Sequence, residues 1–270
     1  MSGDKSISTP TVSNDVREGS VNALEVAKFE AMAEAWWDPE GDFRPLHRLN
    51  PVRVGFIRDE VLRHYDRSLS TRCLEGLSVL DIGCGGGLVC EPLVRLGARV
   101  TGIDAIHRNV SIAQAHAANA GLTVDYRAVS AESLVEAGEQ FDVVLSLEVI
   151  EHVNEPQAFV GLWEKLLAPA GIAIASTINK SLPGFLLGVV GAEYVMRWLP
   201  RGTHDWRKFV SPQTMRLWLE EAGLRMAKIT GMRYRPLSDT FDLSDDLSVN
   251  YIVSAVRRGE RPPKTPEFRL

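Results

Sequence analysis

Residues 80–88 read Leu80-Asp81-Ile82-Gly83-Cys84-Gly85-Gly86-Gly87-Leu88, and they decide the fold. A short apolar run, LSVLDIG (77–83), ends in an acid and then in four glycines within five positions. A residue without Cβ lets the backbone approach a ligand closely and adopt φ values that other residues avoid. The residues that follow open a helix, whose first N–H groups favour a negative charge. A glycine loop between a strand and a helix cradles a nucleotide-like ligand at the carboxyl edge of a parallel sheet. A tight turn alone does not call for four glycines.

The pattern repeats downstream. RVTGID (99–104), TVDYRAV (123–129), FDVVLSL (141–147) and GIAIAST (171–177) are short apolar runs. Helical stretches at 87–97, 106–120 and 155–167 separate them, with Gly97 and Gly121 where helix C-caps belong. This alternation predicts an α/β, doubly wound fold with a mostly parallel sheet covered on both faces. Ser211-Pro212 starts a further helix that Gly223 stops. The runs 224–234 and 249–256 alternate, which predicts a C-terminal antiparallel hairpin. Upstream, the periodicity predicts N-terminal helices over 23–37 and 52–66, joined by a loop, DPEGDFRPLHRLNP, that holds three prolines. The expected organisation is a disordered tail over 1–20, one domain over 21–257 with an apolar helical insert at 180–210, and a flexible tail over 258–270.

The chain has 270 residues, 45% of them hydrophobic, and a net charge of −5. That balance lacks the basic excess of a nucleic-acid binder. Cys73, Cys84 and Cys90 have no metal-ligand spacing and are odd in number, which reads as reduced thiols in a cytoplasmic protein. The first twenty residues contain no apolar signal region.

The identity of the nucleotide turns on spacing. In the dinucleotide fingerprint a third glycine would stand at position 88, which is Leu88. The form here is D-x-G-x-G-x-G, carried by Asp81, Gly83, Gly85 and Gly87. It resembles the first motif of class I methyltransferases, which bind S-adenosylmethionine. Asp104 ends the second strand, where a carboxylate can accept bonds from ribose hydroxyls. Glu132 follows the third strand, where this fold passes the adenine, and Leu147 ends the fourth, where a cofactor contact is expected.

Longer segments carry a narrower resemblance. KFEAMAEAWWDPEGDFRPLHRLNPVR (28–53), LDIGCGGG, LEVIEHV, VVGAEYV (189–195) and RGTHDWRKFVSP (201–212) are together similar to the ubiquinone biosynthesis O-methyltransferases, over roughly residues 25–256. The resemblance implies transfer of a methyl from S-adenosylmethionine to prenylated catechols, at both O-methylation steps of the pathway. The acceptors would be 2-polyprenyl-6-hydroxyphenol and 3-demethylubiquinol. It implies that Arg53 meets the cofactor at its carboxylate, beside Gly83, Asp104 and Leu147. It also implies a polyprenyl phenol or quinol substrate and other ubiquinone biosynthesis enzymes as partners.

In SLEVIEHV (146–153), Glu148, Glu151 and His152 would share a face at i, i+3 and i+4 if a helix began there. Glu148 and His152 are candidate catalytic groups, with His204 beside Asp205 as a second candidate base. The resemblance implies Mg²⁺ held by Glu148, Glu151 and His152. Side-chain chemistry alone leaves the other reading open, in which the acids start a helix and His152 lines the pocket.

The insert SLPGFLLGVVGAEYVMRWLP (181–200) has two charged residues in twenty. Glycines and flanking prolines argue against a span. It reads either as a lid helix or as a segment lying in the membrane interface, which would place the protein at the inner face of the membrane. Two rival functions share the motifs: a class I methyltransferase for another phenolic or lipid acceptor, and a nicotinamide oxidoreductase, which Leu88 opposes. A third is a non-catalytic protein that retains the fold.

Overall fold

The computed structural model describes residues 20–22, 26, 33–184 and 206–259. The tails, most of the 23–37 helix, Phe185-Leu186-Leu187 and His204 with Asp205 lie outside the described residues. Eight strands form one sheet among the described residues: β1 Ser78–Ile82, β2 Arg99–Ile103, β3 Asp125–Arg127, β4 Phe141–Leu147, β5 Leu167–Ile178, β6 Leu224–Arg235, β7 Thr240–Ser244 and β8 Asn250–Arg257. Their order is β3-β2-β1-β4-β5-β8-β6-β7. β1 to β5 run parallel, whereas β8 pairs antiparallel with both β5 and β6.

Alternation along the strands explains why both faces are covered. Val79, Val143 and Ile174 belong to one apolar cluster, with Phe56, Ile57 and Leu93. Their neighbours Leu80, Val144 and Ala175 belong to another, with Val160, Trp163, Met215 and Leu219. Successive side chains point to opposite faces, so a central strand buried on both sides reads as a continuous apolar run.

The helices named here are α1 Arg44–His64, α2 Cys90–Arg95, α3 His107–Asn119, α4 Ala131–Glu136, α5 Pro156–Leu166 and α6 Pro212–Glu221. Two sequence expectations change. The second N-terminal helix begins at Arg44 rather than 52, and it absorbs most of the expected loop. Pro45 sits in its first turn, where no intrahelical N–H is needed, and Pro51 is exposed. The closing element has three antiparallel strands rather than two, because β7 adds to the edge beyond β6. β7 has five residues, all partly or fully exposed, and so lacks an apolar signal.

α1 is fastened at both ends. Near its C-terminus Glu60, 1% exposed, accepts from Ser254 Oγ of β8 (2.8 Å) and from Arg63 (2.6 Å), with Lys228 Nζ at 3.3 Å. At its N-terminus Arg44 and Arg48 both donate to Asp239 Oδ2 in the β6–β7 turn, at 2.8 Å each. Burial alone would raise the Glu60 carboxyl, but the bonds from Arg63 and Ser254 outweigh it and hold it below its ordinary value. A carboxyl lowered on folding stabilises above its unfolded pKa, and that contribution is lost as pH falls through the folded value. Glu60→Ala is expected to lower unfolding stability by about 3 kcal/mol in urea at neutral pH, and by progressively less on acidification.

Candidate active site

The loop after β1 packs back on β2, with Gly83 N and Cys84 N both donating to Ile103 O at 2.8 and 2.9 Å. Its glycines are required by a neighbour distant in sequence. A Cβ on Gly86 would come within 2.5 Å of Trp36 Cβ, and one on Gly85 would overlap the Trp36 ring. Trp36 stacks on Phe43 with centroids 3.8 Å apart, and its Nε1 donates to Asn109 Oδ1 at 2.9 Å. Trp37 Nε1 donates to Gly86 O, and its ring stacks on His116. Two tryptophans therefore brace the loop, and Trp36 also lines the cavity below.

Under the loop lies a cavity of about 540 Å³. Arg53, Asp81, Gly83, Gly85 and Asp104 line it, together with Leu147, Glu148 and His152. The carboxyl ends of β1, β2 and β4 thus bring most of the predicted site residues together. Glu132 is placed elsewhere. It sits in the first turn of α4 and accepts from Ser20 N at 2.9 Å, while Ser130 and Ala131 face the cavity in its place.

Asp104 is held tightly. Its Oδ1 accepts from Ile106 N (2.8 Å) and Asn109 Nδ2 (3.3 Å), and its Oδ2 from Gly85 N (3.0 Å). A carboxylate offers about four acceptor sites, so one remains for a ligand hydroxyl. Burial pushes the Asp104 carboxyl up, against the opposing backbone N–H groups. Burial also lifts Asp81 to about 6, opposed by the Cys90 thiol at 3.2 Å and by Arg53.

Arg53 is the outlying charge. It is 3% exposed, and its Nε has no hydrogen-bond partner among the described residues. Its NH2 group donates to Asn50 Oδ1, at a long 3.3 Å. Burial lowers its pKa, while Glu148 and Asp81 act to raise it. A buried cation facing a cavity with an unmet donor is suited to an anionic ligand.

Glu148 follows β4 with φ 56, in the left-handed region that a side chain with Cβ disfavours. Its N–H donates to Ser176 O at 3.0 Å, and its Oε1 accepts from Ser176 Oγ at 2.7 Å. Residues 150–152 then form a single 3-10 turn. The expected helical face is therefore absent: Glu151 turns inward, 3% exposed, and its Oε2 accepts from Thr177 Oγ1 at 2.9 Å. In this arrangement Glu148, Glu151 and His152 do not fit a shared metal, and no group of three His, Cys, Asp or Glu among the described residues could hold one.

Sequence reasoning gave Trp36 and Trp37 a place in the family resemblance but no role at the site, because the contact of Trp37 with the glycine loop spans 49 positions, and it passed over Asn109. Among the described residues no helix is long and apolar enough to cross a membrane.

Comparison with known proteins agrees with this geometry. Residues 53–229 match a methyltransferase domain family. The chain is 52% identical over 240 residues to the ubiquinone biosynthesis O-methyltransferase of Dinoroseobacter shibae, covering 88% of this chain and 97% of that one. The protein of the same name from Methylobacterium nodulans is 51% identical, covering 88% and 96%. Among solved structures, the magnesium protoporphyrin IX methyltransferase of Synechocystis with bound S-adenosylhomocysteine has a TM-score of 0.61 at 22% identity, covering 87% of this chain and 96% of that one. That likeness shows the class I methyltransferase fold, with its parallel sheet and C-terminal antiparallel strands. At about half-identity over nearly nine-tenths of its length, with the glycine loop and acids in place, the chain belongs to the ubiquinone biosynthesis O-methyltransferase family.

Proposed function

We propose that this protein methylates phenolic oxygens of prenylated catechols in ubiquinone biosynthesis, using S-adenosylmethionine, at both O-methylation steps. The acceptors in this reading are 2-polyprenyl-6-hydroxyphenol and 3-demethylubiquinol. The observation that carries it is the half-identity to proteins of that name, joined to a cavity that holds a buried cation with an unmet donor beside the glycine loop.

The residues present fit the cofactor. Arg53 suits its carboxylate, the remaining acceptor site on Asp104 suits a ribose hydroxyl, and Gly83, Gly85 and Leu147 give it a close, apolar bed. When bound, S-adenosylmethionine supplies an electrophilic methyl on a sulfonium. The chain's own task is to orient the acceptor and take its phenolic proton. Glu148 and His152 both line the cavity just beyond β4, and in this reading they take that proton. Asp81 offsets part of the Arg53 charge from below the loop.

The family resemblance also implies Mg²⁺ at Glu148, Glu151 and His152. Among the described residues these three side chains do not converge as a ligand set, so no step here is routed through an ion. Peripheral contact with the inner face of the membrane through the 180–210 insert is supported by that segment's apolar sequence and by a lipid-soluble acceptor.

Arg53→Gln is expected to weaken S-adenosylhomocysteine binding about 10- to 100-fold by calorimetry. The same change should shift the melting temperature of the ligand-free protein little, since the desolvation cost it removes is set against the loss of the cation that faces Asp81 and Glu148. Equal affinity in the variant would remove Arg53 from the cofactor site. Methyl transfer from labelled S-adenosylmethionine to a short-chain prenyl catechol tests the reaction itself. His152→Ala is expected to lower kcat at least about 100-fold there, with cofactor affinity retained. Chelator in the same assay decides the ion: loss of turnover restored by magnesium supports it, and full activity removes it. For the membrane contact, replacing Phe185, Leu186 and Leu187 with serine is expected to reduce co-sedimentation with anionic liposomes, and failure of the intact protein to bind would overturn that contact.

A further inference from the structure

We propose that the stretch of the cavity between Leu46 and Leu49 of α1 and Met232, Tyr234 and Phe241 of the β6–β7 pair seats the isoprenoid chain of the acceptor. The inference rests on the reading of the acceptor as a prenylated catechol.

The cavity is continuous from Gly83 and Asp104 to these five residues. Leu46, Leu49 and Arg53 stand at i, i+3 and i+7, so they form one stripe of α1. At 1.5 Å per residue, Leu49 lies about 6 Å and Leu46 about 10 Å along the axis from Arg53. The stripe therefore changes from cationic to apolar with distance from the cofactor end. The facing wall is apolar and aromatic. Met232 and Tyr234 share one side of β6, and Phe241 is the register partner of Tyr234 in β7, with ring centroids 5.2 Å apart. Burial falls along this wall from Met232, fully buried, through half-buried Tyr234 and Phe241 to exposed Pro236 and Leu237. The groove thus opens to the outside at the β6–β7 turn.

The polar groups near the mouth are already paired. Asp239 accepts from Arg44, Arg48 and Tyr234 Oη, each at 2.8 Å. This clasp ties the turn to the start of α1 and fixes the width of the groove. Asn250 Oδ1 accepts from Met232 N, and the charged residues at the margin, Arg233 and Asp246, are exposed. The polar parts of the cofactor find their partners at the other end, on Asp104 and Arg53. What suits the apolar end is a chain without hydrogen-bonding groups, attached to a ring that lies near Glu148 and His152.

The test compares kcat/KM for a geranyl-bearing catechol with that for unsubstituted catechol, in the intact protein and in Phe241→Glu and Phe241→Leu. S-adenosylhomocysteine affinity reports the fold of each. The intact protein is expected to favour the geranyl acceptor by at least about 10-fold, the worth of a few apolar carbons in a pocket. Phe241→Glu should cut that ratio about 10-fold or more through KM for the geranyl acceptor, and Phe241→Leu should restore it. If Phe241→Glu fails to bind S-adenosylhomocysteine, Leu46→Asp supplies the same comparison. An unchanged ratio in the charged variant, or no preference in the intact protein while both acceptors turn over, overturns the groove and leaves the acceptor reading standing. If the intact protein methylates neither acceptor, the acceptor reading fails and this proposal falls with it.

Discussion

A guanidinium held out of water is the constraint around which this molecule is arranged. Removing such a group from solvent costs several kcal/mol unless an opposite charge and hydrogen bonds compensate. Arg53 has Asp81 and Glu148 near enough to act on it, and yet its Nε lacks a partner among the described residues. A helix carrying that liability needs firm attachment. α1 has it at both ends, through Glu60 to β8 and through Arg44 and Arg48 to the β6–β7 turn. The two acids that face the guanidinium come from the ends of β1 and β4, which are neighbours in the sheet. Strand order, helix anchoring and ligand chemistry thus converge on one side chain.

Much of this was legible in the residues. Four glycines between an apolar run and a helix, and an acid at the end of the next run, require no tertiary information to be read. What the sequence hid depended on dihedral angles and on distant neighbours. Nothing in LEVIEHV announces that Glu148 adopts a positive φ, and the shared helical face disappears for that reason. Pro45 and Pro51 look like loop residues until one is seen in a first turn and the other facing solvent. Glu132 had an address by analogy with the fold, but Ser20 N occupies its Oε1 instead.

The fold itself says little about what is methylated. A structural neighbour at 22% identity shares the sheet and binds the demethylated cofactor, and its name specifies a porphyrin. Fold and acceptor are separate matters. In this chain three parts reach the site from outside the parallel strands: the 21-residue α1, the tryptophan brace and strand β7. All three border the cavity or pack on residues that do.

The backbone at Glu148 sets strain against pairing. A residue with Cβ in the left-handed region carries a penalty of about 1–2 kcal/mol. Glycine removes the penalty and asparagine eases it, but neither has a carboxylate. Either change would also take the acceptor from the buried Ser176 hydroxyl and one of the two charges facing Arg53, so relief of strain and loss of pairing oppose each other at this one residue.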